Sequence, residues 1–143
     1  MVVRVKVKLQ SATGEVVTAA LANSGFEADE PEVILPIKVA ERLSIYPKLP
    51  IASQVEDYKA VGGVLVKTFL VRGFVKIKVL TDDRDVGPVD VTAVITPGED
   101  EVILSDKLMD MLKIVLLKPG EGIWKFTDDE EGTTRESEHL EKW

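Results

Sequence analysis

The sequence predicts a mainly β fold, a closed barrel or sandwich with one or two short helices. Three observations predict it. Apolar and polar residues alternate with period two over short segments, as in Val3, Val5, Val7 and Leu9 against Arg4, Lys6 and Lys8. Turn signals rich in Gly, Pro, Ser and Asp recur at close spacing. No long helical pattern separates the strands, which argues against a βαβ fold. At 143 residues the chain is long enough for one domain whose core needs no disulfide or metal staple.

Val3 to Leu9 reads as a half-buried strand, Ser11 to Glu15 as a turn and Val16 to Ala22 as a second strand, so residues 2–22 form a hairpin. Asn23-Ser24-Gly25 ends that strand, and 26–32 is an acidic loop. Val33-Ile34-Leu35 is a short apolar run. Pro36 suits the first turn of a helix carrying Ile37, Ala40 and Leu43, which should stop by Tyr46-Pro47. Residues 55–61 and 64–71 flank Gly62-Gly63, a hairpin signal because Gly adopts positive φ freely. Arg72-Gly73 marks a break or bulge before a further strand over 74–79. Residues 81–87 form a charged turn, and Val89 to Ile95 a strand ended by Pro97-Gly98. After the buried run 102–104, Ser105 is placed to cap a short helix lined by Leu108, Met109, Met111 and Leu112. Residues 114–117 and 123–126 flank a Lys-Pro-Gly-Glu-Gly turn as a last hairpin. Trp124 is expected in the core or an interface.

Composition narrows the chemistry. There is no Cys, which removes disulfides, thiolate metal sites and Cys nucleophiles. The single His, His139, argues against His-rich metal sites and a Ser-His-Asp triad. Net charge is −7, and residues 127–143 hold seven acids against two bases. With so little charge left on residues 1–126, there is no basic surplus for nucleic acid. No apolar run is long enough for a membrane span, and the start, Met1-Val2-Val3-Arg4-Val5-Lys6, has no signal-peptide core. These features predict a cytoplasmic protein without membrane partner. Residues 127–143 lack apolar periodicity and are expected to be an acidic tail, disordered or a frayed helix. Scarce Asn and Gln with abundant Lys and Glu resemble thermophile usage.

The ordered set of motifs carries more than any one of them. Ala20-Leu21-Ala22 runs into Asn23-Ser24-Gly25, the Gly62-Gly63 hairpin follows, and Val102-Ile103-Leu104-Ser105 leads into a short helix. In this order residues 3–126 resemble the retropepsin-like aspartic proteases, the retroviral proteases and their cellular and archaeal relatives. The resemblance implies a homodimeric retropepsin-like domain over residues 1–126, acting on a peptide or unfolded protein without metal or cofactor. In that family an Asp stands before the Ser or Thr and the Gly. Two such carboxylates meet across the dimer axis and share one proton, since two like charges that close cannot both ionise. One activates water and the other polarises the scissile carbonyl. By the resemblance Ser24 fixes the paired loops and Gly25 permits close backbone approach. Gly62 and Gly63 form the tip of a lid over substrate, and Glu27 or Asp29 touches substrate backbone. Ser105 stands where the family usually has Gly.

The first motif position departs from the pattern. Asn23 is the only Asn in the chain, and an amide cannot act as a general base or share a proton. As written the chain is expected to be inactive, a pseudoenzyme. Three origins of Asn23 stay open: an engineered change from Asp, a natural substitution in a scaffold kept for binding, or an ordinary turn residue with a misleading resemblance. The function readings follow suit. The first is an aspartic peptidase scaffold, a hydrolase only if the parent carries Asp. The second is a non-catalytic dimeric peptide-binding or protein-binding domain, and the third an unrelated β-barrel interaction domain. For Glu27, Asp29, Glu30 and Glu32 the plainer reading is a solvated acidic loop.

Overall fold

A computed structural model of the chain describes residues 2–59 and 63–143. The strands are β1 (Val3–Gln10), β2 (Glu15–Ala22), β3 (Glu32–Leu35), β4 (Gln54–Lys59), β5 (Leu65–Leu80), β6 (Asp85–Ile95), β7 (Val102–Leu104), β8 (Ile114–Lys118), β9 (Ile123–Phe126) and β10 (Arg135–Glu136). Two helices, α1 (Ile37–Arg42) and α2 (Asp106–Met111), follow β3 and β7.

The alternation in β1 is realised as expected. Val3, Val5, Val7 and Leu9 are fully buried, and β1 pairs antiparallel with β2 from Val3 opposite Ala22 to Gln10 opposite Glu15. β2 runs parallel to β7, β7 antiparallel to β3, β3 parallel to β6 and β6 antiparallel to β5. The last part of β5 returns to β1, with Val79 opposite Val7, and closes a six-stranded barrel. Closure leaves β4, which among the described residues pairs with β5 alone, outside the ring. Inside lie the aliphatic side chains of β1, β3, β5, β6 and β7, and the same core takes in Val39, Ala40 and Leu43 of the α1 region and Leu108 and Leu112 of the α2 region.

Three expectations need correction. The strand over 74–79 is not separate: β5 continues through Arg72-Gly73 as one 16-residue strand. The break is a register shift against β6 between Val71 and Val75, and Gly73 takes it up with φ of +83°. The turn over 81–87 is shorter, because Asp85 already pairs with Leu80. The third correction concerns residues 127–143, which are neither disordered nor helical. β10 pairs with β9, the Ser137 hydroxyl accepts from the Arg4 N–H at 2.7 Å, and the Glu138 N–H donates to the Arg4 carbonyl at 2.8 Å. The last residue, Trp143, donates its indole N–H to Thr18 Oγ1 at 3.0 Å and lies under the Arg42 guanidinium. The segment is a strap fastened by polar contacts, which apolar periodicity does not register.

Trp124 is buried and meets Phe126 edge to face, with centroids 4.9 Å apart. Met109 is buried and Met111 exposed, as an amphipathic α2 requires. Gly62 and its two preceding residues lie outside the described residues, while β4 and β5 flank them as a hairpin with Lys59 opposite Leu65.

Candidate functional site

β2 delivers the Asn23-Ser24-Gly25 loop. Ala22, its last residue, is buried between Val3 and Leu104, and the next three residues emerge exposed. The Asn23 side chain shapes the turn locally. Its Oδ1 accepts from the Gly25 N–H at 3.0 Å, and its carbonyl accepts from the Phe26 N–H at 3.0 Å. A Cβ at Gly25 would lie 3.2 Å from that same Oδ1 and crowd it.

The loop is tied to the start of α2. The Asp106 N–H donates to the Phe26 carbonyl at 2.9 Å, and Asp106 Oδ1 accepts from the Ala28 N–H at 3.2 Å. Ser105 is fully buried, and its hydroxyl oxygen accepts from the Leu108 N–H, capping α2, and from the Glu32 N–H at 3.0 Å. Its own N–H donates to the Glu32 carbonyl at 3.0 Å. The position where Gly is usual therefore accommodates a side chain and uses it fully. β7, α2 and the head of β3 form one rigid seat beneath the loop.

Two clefts adjoin that seat. One, of about 310 Å³, has apolar walls from Phe26, Ile34, Leu70 and Val94, with Thr68, Thr96, Glu32 and Glu56 completing the lining. Glu32 and Ile34 share a face of β3 because they are two residues apart, while Val33 and Leu35 turn into the barrel. The second recess is lined by Glu27, Ala28, Asp29, Glu32 and Asp106. Glu27 and Asp29, singled out in the sequence, thus meet in one recess. Gly63, at the β4–β5 tip with φ of +82°, lines neither cleft. Glu32 was hidden in the acidic run. Its signal was its position at the head of an alternating apolar strand, which sets it apart from the loop acids before it.

The charges around Glu32 are mostly of its own sign. Partial burial, then Glu30 and Glu56, push its carboxyl above the ordinary range, and Arg72 opposes them. Arg72 is itself engaged, donating to Glu30 at 2.9 Å and to Gln54 at 2.7 Å. The most perturbed carboxylates lie elsewhere. Hydrogen bonds from Arg135 pull Asp83 down to about 2, and those from Arg84, with Lys113 second, pull Asp128 to about 2. These groups fasten the C-terminal strap. Among the described residues no group of three or more His, Asp and Glu side chains converges as a metal site, and no helix is long and apolar enough to cross a membrane.

A scan against protein-family models finds no match, and neither does a search of curated proteins. Among solved structures the chain is similar to the retroviral protease-like domain of Ddi1 from Leishmania major. The TM-score is 0.52 at 11% identity, over 90% of this chain and 92% of that one. The fold is retropepsin-like. At this identity the likeness shows the fold alone, a closed β barrel with two short helices.

Proposed function

We propose that the chain is a homodimeric retropepsin-like peptidase scaffold that holds an extended polypeptide and, with Asn23 in place, does not hydrolyse it. The observation that carries this reading is the Asn23-Ser24-Gly25 loop, exposed at the end of β2 and pinned to α2 in a retropepsin-like fold. One motif per chain supplies half a dyad, so a second copy completes it. With Asp at position 23, the two carboxylates share a proton. The ionised one takes a proton from water as it attacks the scissile carbonyl, and the protonated one hydrogen-bonds the developing oxyanion. An amide pair removes both roles. General acid–base assistance is worth roughly 10²–10⁴-fold, and both participants are lost together.

Asn23→Asp tests the reading. The Asp form should cleave an unfolded protein substrate between acid and neutral pH, and the Asn form should not. If both forms fold and dimerise and neither cleaves, the scaffold is a polypeptide-binding module. A chain that stays monomeric at high concentration, with Asn23 away from any interface, sinks both versions.

A further inference from the structure

The 310 Å³ cleft beside the Asn23 loop combines two features that select one kind of side chain. Its walls are apolar, through Phe26, Ile34, Leu70 and Val94, and carboxylates from β3 and β4 open onto it. We infer that this cleft is a subsite for a Lys or Arg side chain of the bound polypeptide, with Glu32 as its specificity-determining residue. The inference rests on the polypeptide-holding reading above and adds the class of residue held.

Charge complementarity carries it. Neither Glu32 nor Glu56 has an ion-pair partner among the described residues, and the nearby base, Arg72, is already committed to Glu30. The adjoining recess adds Glu27, Asp29 and Asp106 and no base. Partial burial and repulsion from Glu30 and Glu56 push the Glu32 carboxyl above its ordinary value. A cation entering the cleft relieves that repulsion, whereas a purely apolar side chain would desolvate the carboxylate further and leave it unpaired. Lys and Arg also fit the walls, since their methylene stems pack on apolar surface while the head group reaches a polar rim. The Glu32 backbone is held in place at the cleft, because its N–H and its carbonyl are both bonded to Ser105.

The test uses the Asn23 protein itself, whose lack of turnover permits equilibrium measurement. Labelled unstructured peptides on an Ala-Ser-Gly background, each with Lys, Arg, Leu or Glu scanned through the positions, are titrated by fluorescence anisotropy. The best Lys or Arg peptide should bind about tenfold more tightly than its Leu counterpart, with Glu weakest. That preference should shrink with added salt and largely vanish in Glu32→Gln. Glu56→Gln, on an exposed strand, should reduce it in part and serves as the second variant should Glu32→Gln fold poorly. If Leu binds as well as Lys, or the preference survives in both folded variants, the inference is overturned while the polypeptide groove stands. If no peptide binds at all, the groove reading itself fails and takes the inference with it.

Discussion

At Ser105 one hydroxyl oxygen closes two joints, the cap of α2 and the anchor of β3 through the Glu32 N–H. Losing an N-cap costs about 1 kcal/mol, and a buried N–H left without a partner costs about 1–3 kcal/mol. Ser105→Ala should therefore lower the unfolding free energy by about 2–4 kcal/mol in urea titrations. A value near zero would mean that the Glu32 N–H finds another acceptor. Glu32 behaves in the opposite sense. Its folded-state carboxyl is raised, so its contribution is neutral at low pH and becomes unfavourable as pH rises past the unfolded value. Glu32→Gln should stabilise the protein at pH 7, by less than about 1 kcal/mol given the group's exposure, and the gain should disappear near pH 4. Thermal melts at the two pH values check this. An equal gain at both would assign the effect to something other than charge. Ser105's capping role was legible in the sequence because a cap is a local signal. Its bond to Glu32 was not, because that contact joins residues 73 positions apart.

The C-terminal strap shows the same limit across a whole segment. Its acids looked like a solvated tail because part of their pairing, to Arg84 and Lys113, reaches back to earlier elements. Asp129 accepts from Arg135 Nε and from the Phe126 N–H, Arg84 reaches Asp128 and Asp129, and Arg135 reaches Asp83. The Asp129 side chain is only 5% exposed. Asp129→Ala should cost about 3 kcal/mol at pH 7, because Arg135 keeps its charge in a site built for a pair. The acid response follows from the same bonds. Asp83 and Asp128 sit at about 2 in the folded chain, and Asp129 is also depressed, against roughly 3.9 for an unperturbed Asp. A depressed carboxyl stabilises the fold above its unfolded value and stops doing so as pH falls through its folded one. Stability should thus hold from pH 7 to about 4 and fall between about 4 and 2. Trp143 and Trp124 fluorescence should report strap release in that window. A transition centred above pH 5 would exclude these carboxylates as its cause. By contrast the β1–β2, β4–β5 and β8–β9 hairpins were legible, because each pairs neighbours across a short turn and its alternation is visible locally.

On the scale of the molecule, the sequence pattern made the strands and two helices readable, but closure of the barrel required knowing that β5 is unbroken. The continuous β5 pairs with β6 along most of its length, with β4 at its first end and with β1 at its last. The single chain also leaves apolar surface uncovered on the hairpin that borders the cleft, with Val55, Val64 and Leu65 all more than half exposed. The homodimer proposed above would draw on two features, the Asn23-Ser24-Gly25 loop and this apolar surface. Ser24 isolates the first. It is exposed, and the bonds that shape its own loop run through Asn23, Gly25, Phe26 and Asp106 instead. If its hydroxyl bonds across a dimer axis, Ser24→Ala removes one such bond from each copy, about 1 kcal/mol apiece. With 1.4 kcal/mol per tenfold, the dimer dissociation constant should rise by roughly thirtyfold. Sedimentation equilibrium should then show a dimer of the 15.7 kDa chain for the Asn23 protein and a shifted balance toward monomer for Ser24→Ala. Urea unfolding of the monomer should be unchanged. A Ser24→Ala dimer as tight as the parent would place the interface elsewhere, on the exposed hairpin surface, and the Asn23 loops of the two copies would then not meet.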